Sequence, residues 1–177
     1  EAKSPSPTVK NSVALKDGDK HATGYSETLV KATKEQIMAY MLDTPARCRW
    51  SDSDVERNIL ETKNDHHFVA YQFKKGSHCA RLKLLPREGV SAGLWRQETN
   101  GSFVYVSVPT EHHLKQNVPA KRIRAKMPTA FSIEEISPGV CRVAYVNQLD
   151  LGGIFPAWVM NKIMISNLTL TYKVQLY

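Results

Sequence analysis

The sequence predicts an α+β domain in which one curved antiparallel sheet wraps around a long C-terminal helix. Six or seven alternating segments follow one another without an intervening helix, which is typical of a single antiparallel sheet. One strand and a short helical pattern precede them, and a long helical pattern that begins at Pro156 follows them. A sheet curled around a helix encloses an apolar volume, so this arrangement also predicts an internal cavity.

The N-terminal residues differ in composition from the rest of the chain. Residues 1–20 are rich in Ser, Pro, Lys and Asp and carry almost no bulky apolar side chains. Such a segment buries too little surface to offset the entropy of ordering it, so we predict a flexible tail or linker. Residues 21–177 suit one domain with a sizeable core. Because the chain starts without Met and the last helical pattern stops near its end, we expect an excised piece with a truncated C-terminus.

A strand and a capped helix open the predicted domain. Residues 24–32 read as a strand, and Thr33 follows as a favourable N-cap residue. Gln36 stands at the capping-box position, which predicts a helix through about Leu42. Pro45 ends this helix, because the proline ring disfavours helical backbone in the residue before it.

Turn signals divide the middle of the chain into strands. Thr99-Asn100-Gly101 is the strongest of these signals, since Asn-Gly suits a tight hairpin turn. A longer loop at 109–120 separates this hairpin from the last two strands. The predicted strands are 55–62, 67–73, 81–85, 90–98, 102–108, 123–136 with an interruption near Pro128, and 140–151.

Charge and cysteine usage limit the class of partner and the compartment. The net charge of +7 and the pI of about 9.3 favour anionic partners, either a membrane surface or nucleic acid. Cys48, Cys79 and Cys141 are widely spaced and form no C-x-x-C pair, which favours a reducing cytoplasmic setting. No run approaches the roughly 18 apolar residues that a membrane-spanning helix needs. We therefore expect a cytoplasmic protein, with peripheral membrane contact as an option.

The sequence carries no pattern that indicates catalysis, a cofactor or a metal. His66-His67, His78-Cys79 and His112-His113 are adjacent pairs, and neighbours on a strand point to opposite faces. Their spacing matches neither a zinc finger nor an H-E-x-x-H helix. Glu134-Glu135 diverge for the same reason, and no phosphate-binding loop or G-x-S-x-G elbow occurs. We expect no enzyme activity, no cofactor and no metal.

Five motifs carry a resemblance to a known family. They are A-T-K-E-Q-I-M-A-Y-M-L-D-T-P (32–45), L-P-R-E (85–88), L-W-R-Q-E-T-N-G-S-F-V-Y-V-S (94–107), R-A (124–125), and D-L-G-G with P-A-W (150–158). In this order they resemble the START domain family, the lipid-binding branch of the helix-grip fold. The resemblance covers about residues 24–173. It implies a non-catalytic domain that binds or transfers a sterol or another lipid held in an internal hydrophobic cavity.

The resemblance also implies which residues contact the lipid. The C-terminal helix and the 109–120 loop would gate the cavity. The family often places an inward Arg before the hairpin turn as a polar anchor; Gly93 occupies that position here, and Arg96 is the displaced candidate. The implied ligand-binding residues are Val104 and Val106 on the hairpin, Tyr145, Asn147 and Leu149 on the last strand, and Met160, Ile163, Met164, Asn167 and Thr171 on the helix.

Asn147 stands out because an amide within an apolar face needs hydrogen-bond partners. Without them its burial costs about 1–3 kcal/mol. A ligand hydroxyl or an ordered water would satisfy it, and so would exposure at the sheet edge.

A second hypothesis is a basic module that binds RNA or anionic membranes through its surface. Arg122, Arg124 and Lys126 would project from one face of a strand and meet phosphates. No aromatic stacking platform accompanies these charges, so we expect no nucleic-acid partner. The expected partners are a lipid ligand and, transiently, an anionic membrane surface, with the chain as a monomer.

Overall fold

The predicted architecture of one curved sheet and a C-terminal helical segment is confirmed. The structure is a computed structural model that describes residues 2–14, 21–46, 48, 51–79, 82–153 and 155–176. The strands are β1 (Val9–Ala14), β2 (Ala22–Val30), β3 (Asp54–Asn64), β4 (His67–Lys74), β5 (Ser77–Cys79), β6 (Leu82–Leu84), β7 (Arg87–Gln97), β8 (Phe103–Pro109), β9 (Ile123–Arg124), β10 (Thr129–Ser137) and β11 (Val140–Leu149). The helices are α1 (Lys34–Leu42), α2 (Ala157–Leu168) and α3 (Leu170–Leu176).

Within the described residues the main sheet has nine strands, most of them in the order β1-β2-β11-β10-β8-β7-β4-β3. These neighbours are antiparallel, and the short β9 adds a parallel pairing to β7. β5 and β6 form a separate hairpin outside this sheet. Cys79 and Leu84 of the hairpin pack against Val159, so the hairpin lies against the start of α2.

The prediction of a tail over residues 1–20 is wrong for the part that forms β1. Val9 to Ala14 pair with β2 in antiparallel register, from Val9 opposite Thr28 to Ala14 opposite Thr23. Val9 and Asn11 are buried, and Asn11 Oδ1 accepts a hydrogen bond from Ser26 Oγ at 2.7 Å. Average composition misses such a strand because an edge strand needs only one neighbour and a few inward side chains.

The local signals around the first helix are confirmed by its capping geometry. Gln36 N–H donates to Thr33 Oγ1, and Thr33 N–H donates to Gln36 Oε1. The interruption predicted near Pro128 is present: the segment 123–136 forms two strands, β9 and β10, and Pro128 between them lacks an N–H donor.

The predicted C-terminal helix is divided into α2 and α3 at Thr169. The Thr169 hydroxyl donates to the Ser166 carbonyl at 2.7 Å, the kind of local bond that competes with helical pairing. Among the described residues, no helix is both long and apolar enough to cross a bilayer.

One stripe of the C-terminal helices packs on β2. Its members are the buried Met160, Met164, Leu168 and Thr171. Gly24 provides the room for this contact, because a Cβ there would lie 2.5 Å from Met164 Sδ. Thr171 Oγ1 also lies 2.6 Å from Ser26 Oγ, which continues a buried polar chain to Asn11.

Candidate functional site

Two adjoining compartments lie between the sheet and the C-terminal helices. The central compartment measures about 240 Å³ and is bordered by β3, β4, β7, β8, β10, β11 and the helices. The hairpin compartment measures about 360 Å³, within the roughly 300–1,000 Å³ typical of small-molecule sites. The described wall residues common to both are Ser53, Gln72, Lys74, Ala125, Met127, Ser166 and Asn167.

The two compartments differ in the chemistry of their walls. Apolar atoms form most of the wall surface of the hairpin compartment, and the apolar residues there are Cys79, Leu84, Leu85, Ala125, Met127, Leu149, Leu151 and Ile163. Polar side chains are frequent in the central compartment: Thr44, Ser51, Ser53, Asp54, Arg57, Gln72, Lys74, Ser91, Ser107, Thr129, Asn147, Ser166, Asn167, Thr169 and Lys173. The cavity can therefore receive an apolar group at one end and a polar group at the other.

A row of aromatic rings runs across the inner face of the sheet. Phe68 and Tyr105 have ring centroids 6.3 Å apart, and Tyr105 and Phe131 are 6.2 Å apart. Phe131 and Tyr145 stack at 4.4 Å. Gly93 makes room for the row, because a Cβ there would lie 2.6 Å from Phe68 Cζ.

This row corrects the predicted orientation of Val104 and Val106. The buried Phe103 and Tyr105 occupy the inner face of β8, and successive strand residues face opposite sides. Val104 and Val106 therefore point to the outer face and line neither compartment. The larger aromatic rings occupy the inner face because the space between the sheet and the helices accommodates larger side chains.

Arg96 also lies outside the cavity, contrary to its prediction as an anchor. Its side chain is 75% exposed and pairs with Glu98 at 2.7 Å. The inner positions on this part of β7 are Gly93 and Trp95, as alternation along the strand requires.

Only part of the predicted helix face lines the cavity. Ile163 lies on the wall of the hairpin compartment, and Asn167 lies on the walls of both compartments. Met160, Met164 and Thr171 line neither, because they belong to the stripe on β2. The side of α2 that faces the cavity is therefore a different side from the one that is most buried.

The three predicted residues of β11 do lie at the cavity. Tyr145 and Asn147 border the central compartment, and Leu149 borders the hairpin compartment. Asn147 is 1% exposed, so it is not an edge residue with its amide in solvent. Its Nδ2 donates to the Pro128 carbonyl at 3.5 Å, while Oδ1 is buried and has no protein donor among the described residues. The cavity thus contains an acceptor that is available to a ligand.

A buried carboxylate binds two of the three cations of the predicted basic row. Glu88 accepts from Arg124 Nη2 at 2.9 Å and from Arg122 Nη1 at 3.4 Å, and from Tyr71 Oη at 3.1 Å. Burial, with Glu88 next in importance, raises the pKa of Tyr71 to about 12, so the phenol stays a neutral donor. The prediction that Arg122 and Arg124 project with Lys126 as one open row is therefore wrong.

Sequence reasoning missed a second charge cluster, at the wall of the central compartment. The Asp54 side chain is 2% exposed and pairs with Arg57 Nε; Lys74 Nζ lies 3.6 Å from Asp54 Oδ1. Lys74 shares a strand face with Gln72, Ala70 and the inward Phe68. That alternation was a signal available in the sequence. Among the described residues, no group of three or more His, Cys, Asp or Glu could hold a metal ion.

A curved sheet that surrounds C-terminal helices and an internal cavity defines the helix-grip fold. A family model described as "START domain" matches residues 19–173, so the chain belongs to the START domain family. Members of this family generally bind or transfer lipids.

Similar proteins occur in bacteria and humans. An uncharacterized protein of Pseudomonas aeruginosa is 23% identical over 176 residues, covering 89% of this chain and 75% of that protein. Human STARD10 superposes with a TM-score of 0.81 at 18% identity, covering 99% of this chain and 70% of that one. A STAR-related lipid transfer protein fragment from Xanthomonas axonopodis also reaches 0.81, at 15% identity, covering 99% and 96%.

The fold also occurs in an enzyme. The Zhui aromatase/cyclase of Streptomyces sp. R1128 superposes with a TM-score of 0.50 at 10% identity, covering 88% of each chain. This likeness concerns the fold alone.

Proposed function

We propose that this chain is a non-catalytic lipid-binding or lipid-transfer domain that holds a sterol or another lipid in the two compartments. The supporting observation is the internal cavity itself, apolar at the hairpin end and lined at the other end by Asn147 Oδ1, which has no protein donor in the part of the chain that the structure describes. Transfer of a hydrocarbon tail from water into the apolar end gains about 0.8 kcal/mol per buried CH₂. The side-chain amide of Asn147 then selects among polar head groups through the hydrogen bonds that it donates and accepts.

The C-terminal helices and the 109–120 loop gate this cavity in our proposal. Side-chain contacts hold the loop to the sheet: Lys115 Nζ lies 3.8 Å from the Tyr71 ring centroid, and His112 Nε2 lies 3.5 Å from Glu61 Oε2. These contacts can open without unfolding the sheet. Thr169, where α2 ends, lies on the wall of the central compartment, which suits a hinge.

Lipid exchange requires contact with a membrane, and the 109–120 loop has suitable chemistry. Leu114 and Val118 are exposed apolar residues beside Lys115 and Lys121. Apolar side chains flanked by cations favour the surface of an anionic bilayer. We place the protein in the cytoplasm, in transient contact with such a membrane, where its cysteines stay reduced.

The comparisons do not support the alternative of a basic RNA-binding or membrane-binding module without an internal ligand. Because Glu88 binds Arg122 and Arg124, two of the charges that suggested this alternative are engaged inside the protein. An aromatase/cyclase-like activity would need an acid–base pair in the cavity that acts on a substrate, and we do not propose one.

Native mass spectrometry of the purified protein tests the proposed function. We expect a lipid to co-purify with the wild type and to be absent from Ser107→Trp, since the indole would fill the central compartment that Ser107 lines. Val108→Trp is the matched control, because Val108 is the next residue of β8 and lies 49% exposed on the outer face. A wild-type protein that stays lipid-free after incubation with a total lipid extract would contradict the proposal.

Asn147→Leu is expected to raise the free energy of unfolding by about 1 kcal/mol in the lipid-free protein. The substitution removes a buried polar atom without a donor, which costs about 1–3 kcal/mol to bury. Urea denaturation measures the gain, and Gln148→Leu on the exposed outer face of β11 is the control. A destabilised Asn147→Leu variant would indicate that the amide is already satisfied in the empty cavity.

A further inference from the structure

The N-terminal strap, residues 2–14, lies along the edge of the sheet beside the C-terminal helices. Among the described strands its β1 pairs with β2 alone, and α2 packs on both of these strands. The strap folds back on itself, because Ala2 N–H donates to the Asn11 carbonyl at 2.9 Å and Asn11 Nδ2 donates to the Lys3 carbonyl at 3.2 Å. An ordered segment in this position can restrain the helices.

A buried chain of hydrogen bonds runs from the strap through β2 into α3. Ser26 Oγ donates to Asn11 Oδ1 at 2.7 Å and lies 2.6 Å from Thr171 Oγ1. A serine hydroxyl has a single proton, and the amide oxygen of Asn11 can only accept. The Ser26 proton therefore goes to Asn11, and Thr171 is the donor to Ser26. Ser26 and Thr171 are completely buried, so water does not compete for these bonds.

A second link joins the strap to the end of α3. Gln175 Oε1 accepts a hydrogen bond from the Thr8 hydroxyl at 3.1 Å, and Gln175 Nε2 donates to the Leu29 carbonyl at 3.1 Å. The same amide therefore bridges the strap and β2. Because Thr171 and Gln175 are four residues apart in the sequence, both links lie on one face of the helix.

The strap can leave the sheet without unfolding the rest of it. β1 is an edge strand, while β2 stays paired with β11 along its whole length, from Ala22 to Val30. Segments near a chain terminus open at a lower free energy than the central strands of a domain. Detachment of the strap would break the bonds that Asn11 and Thr8 make and would remove part of the surface on which α2 packs.

We propose that the N-terminal strap holds the C-terminal helices closed over the cavity, and that its detachment from β2 lets them open. The inference rests on the proposed lipid-binding function, in which these helices belong to the gate, and it adds a second element that controls them. β2 connects the two, since its inner face carries the helices and its free edge carries the strap. Access to the cavity then depends on a segment that contributes no residue to its described walls.

Ser12→Pro is designed to detach the strap without touching its buried contacts. Alternate residues of an antiparallel strand direct their backbone groups to opposite edges. Because the Asn11 carbonyl points outward to Ala2, the Ser12 N–H faces β2, where Ser12 stands opposite Tyr25. Proline removes this N–H and the ladder bond with it. The Ser12 side chain is exposed, so no buried side-chain contact changes.

Hydrogen exchange of the purified protein, measured by mass spectrometry, tests whether the strap holds the helices. We expect the α3 amides of Ser12→Pro to exchange about fivefold or more faster than those of the wild type, since the loss of one hydrogen bond already gives a factor of this size. Ser12→Ala is the matched control, because it keeps the N–H and should exchange at the wild-type rate. Helix α1, which packs on β10, is the internal reference.

Unchanged exchange of α3 in Ser12→Pro, or an equal rise in α1 and α3, would overturn the inference. If Ser12→Pro does not fold, Thr8→Val takes its place, because Thr8 is exposed and its hydroxyl donates to Gln175. We then expect a rise in exchange that is confined to α3, and an unchanged rate would again overturn the inference.

Release of cis-parinarate, a fluorescent fatty acid, into excess phosphatidylcholine vesicles extends the test to the gate. We expect Ser12→Pro to release this probe about fivefold faster than the wild type, and Ser12→Ala to release it at the wild-type rate. Equal release rates, despite faster exchange of α3, would overturn the control of access by the strap. If none of the proteins binds the probe, that result counts against the proposed function, while hydrogen exchange still decides whether the strap holds the helices.

Discussion

Glu88→Ala is expected to lower the free energy of unfolding by about 3 kcal/mol. Removing one partner of a buried ion pair leaves the other charge unpaired, which costs about 3–5 kcal/mol. Glu88 is 2% exposed and binds Arg122, Arg124 and the Tyr71 phenol. The alanine variant would therefore leave two guanidinium groups without this counter-ion. Both guanidinium side chains keep some contact with solvent, which places the cost at the lower end of that range. Equilibrium denaturation in urea measures the change.

Glu134→Ala is the matched control for this prediction. Glu134 also binds an arginine, Arg142 at 3.0 Å, but both side chains are nearly half exposed. Exposed ion pairs contribute about 0–1 kcal/mol, so the control should change stability little. Similar losses from the two variants would mean that burial does not determine the strength of the Glu88 cluster.

The Glu88 cluster also restrains the proposed gate. Arg124 Nη2 donates both to Glu88 and to the Lys115 carbonyl of the 109–120 loop. Losing the carboxylate removes one of the two contacts that orient this guanidinium toward the loop. In the gating that we propose, the stability of the cluster therefore affects the rate of lipid exchange.

The elements that sequence predicted well are those whose signals are local. The Thr33–Gln36 capping box involves four consecutive residues, and the turn at Gly101 needs only the positive φ of +80° that glycine tolerates. Such features depend little on the rest of the fold. The general architecture followed from the order of these elements and from the family resemblance.

The inner face of β8 was not predictable in the same way. Phe103, Val104, Tyr105 and Val106 are all apolar, so alternation alone offers two equivalent orientations. The structure selects the aromatic face because Gly93, on the same face of the adjacent β7, leaves space for the rings of Phe68 and Tyr105. That choice depends on a cross-strand neighbour in β7 and another in β4, which no short sequence pattern specifies.

The predicted helix face differs from the cavity wall for a related physical reason. Met160, Met164 and Thr171 form a helical stripe, and a stripe marks the side of greatest burial. In a domain with a cavity, the greatest burial occurs where the helix touches the sheet, and the cavity lies beside that contact. The wall residues Ile163 and Asn167 are accordingly only partly buried.

Met164→Ala is expected to lower the free energy of unfolding by about 2–5 kcal/mol, because the side chain is completely buried on β2. Gly24→Ala should cost about 1–3 kcal/mol by overpacking the same contact, since its Cβ would lie 2.5 Å from Met164 Sδ. The added methyl group partly fills the space that Met164→Ala empties. The double variant should therefore be more stable than the sum of the single losses predicts, by about 1 kcal/mol or more.

Urea denaturation of the wild type, the two single variants and the double variant measures the coupling energy between the two substitutions. Leu176→Ala, at a residue that is 68% exposed, controls for a general effect of shortening helix side chains. Additive losses would mean that Gly24 and Met164 do not share one contact. Because Met164 lines neither compartment, Met164→Ala should weaken the attachment of the helix without changing which lipid co-purifies with the protein. A different co-purified lipid would instead place Met164 in contact with the ligand, as the family resemblance implies. The same variant therefore distinguishes a residue that holds the helix on the sheet from one that contacts the lipid.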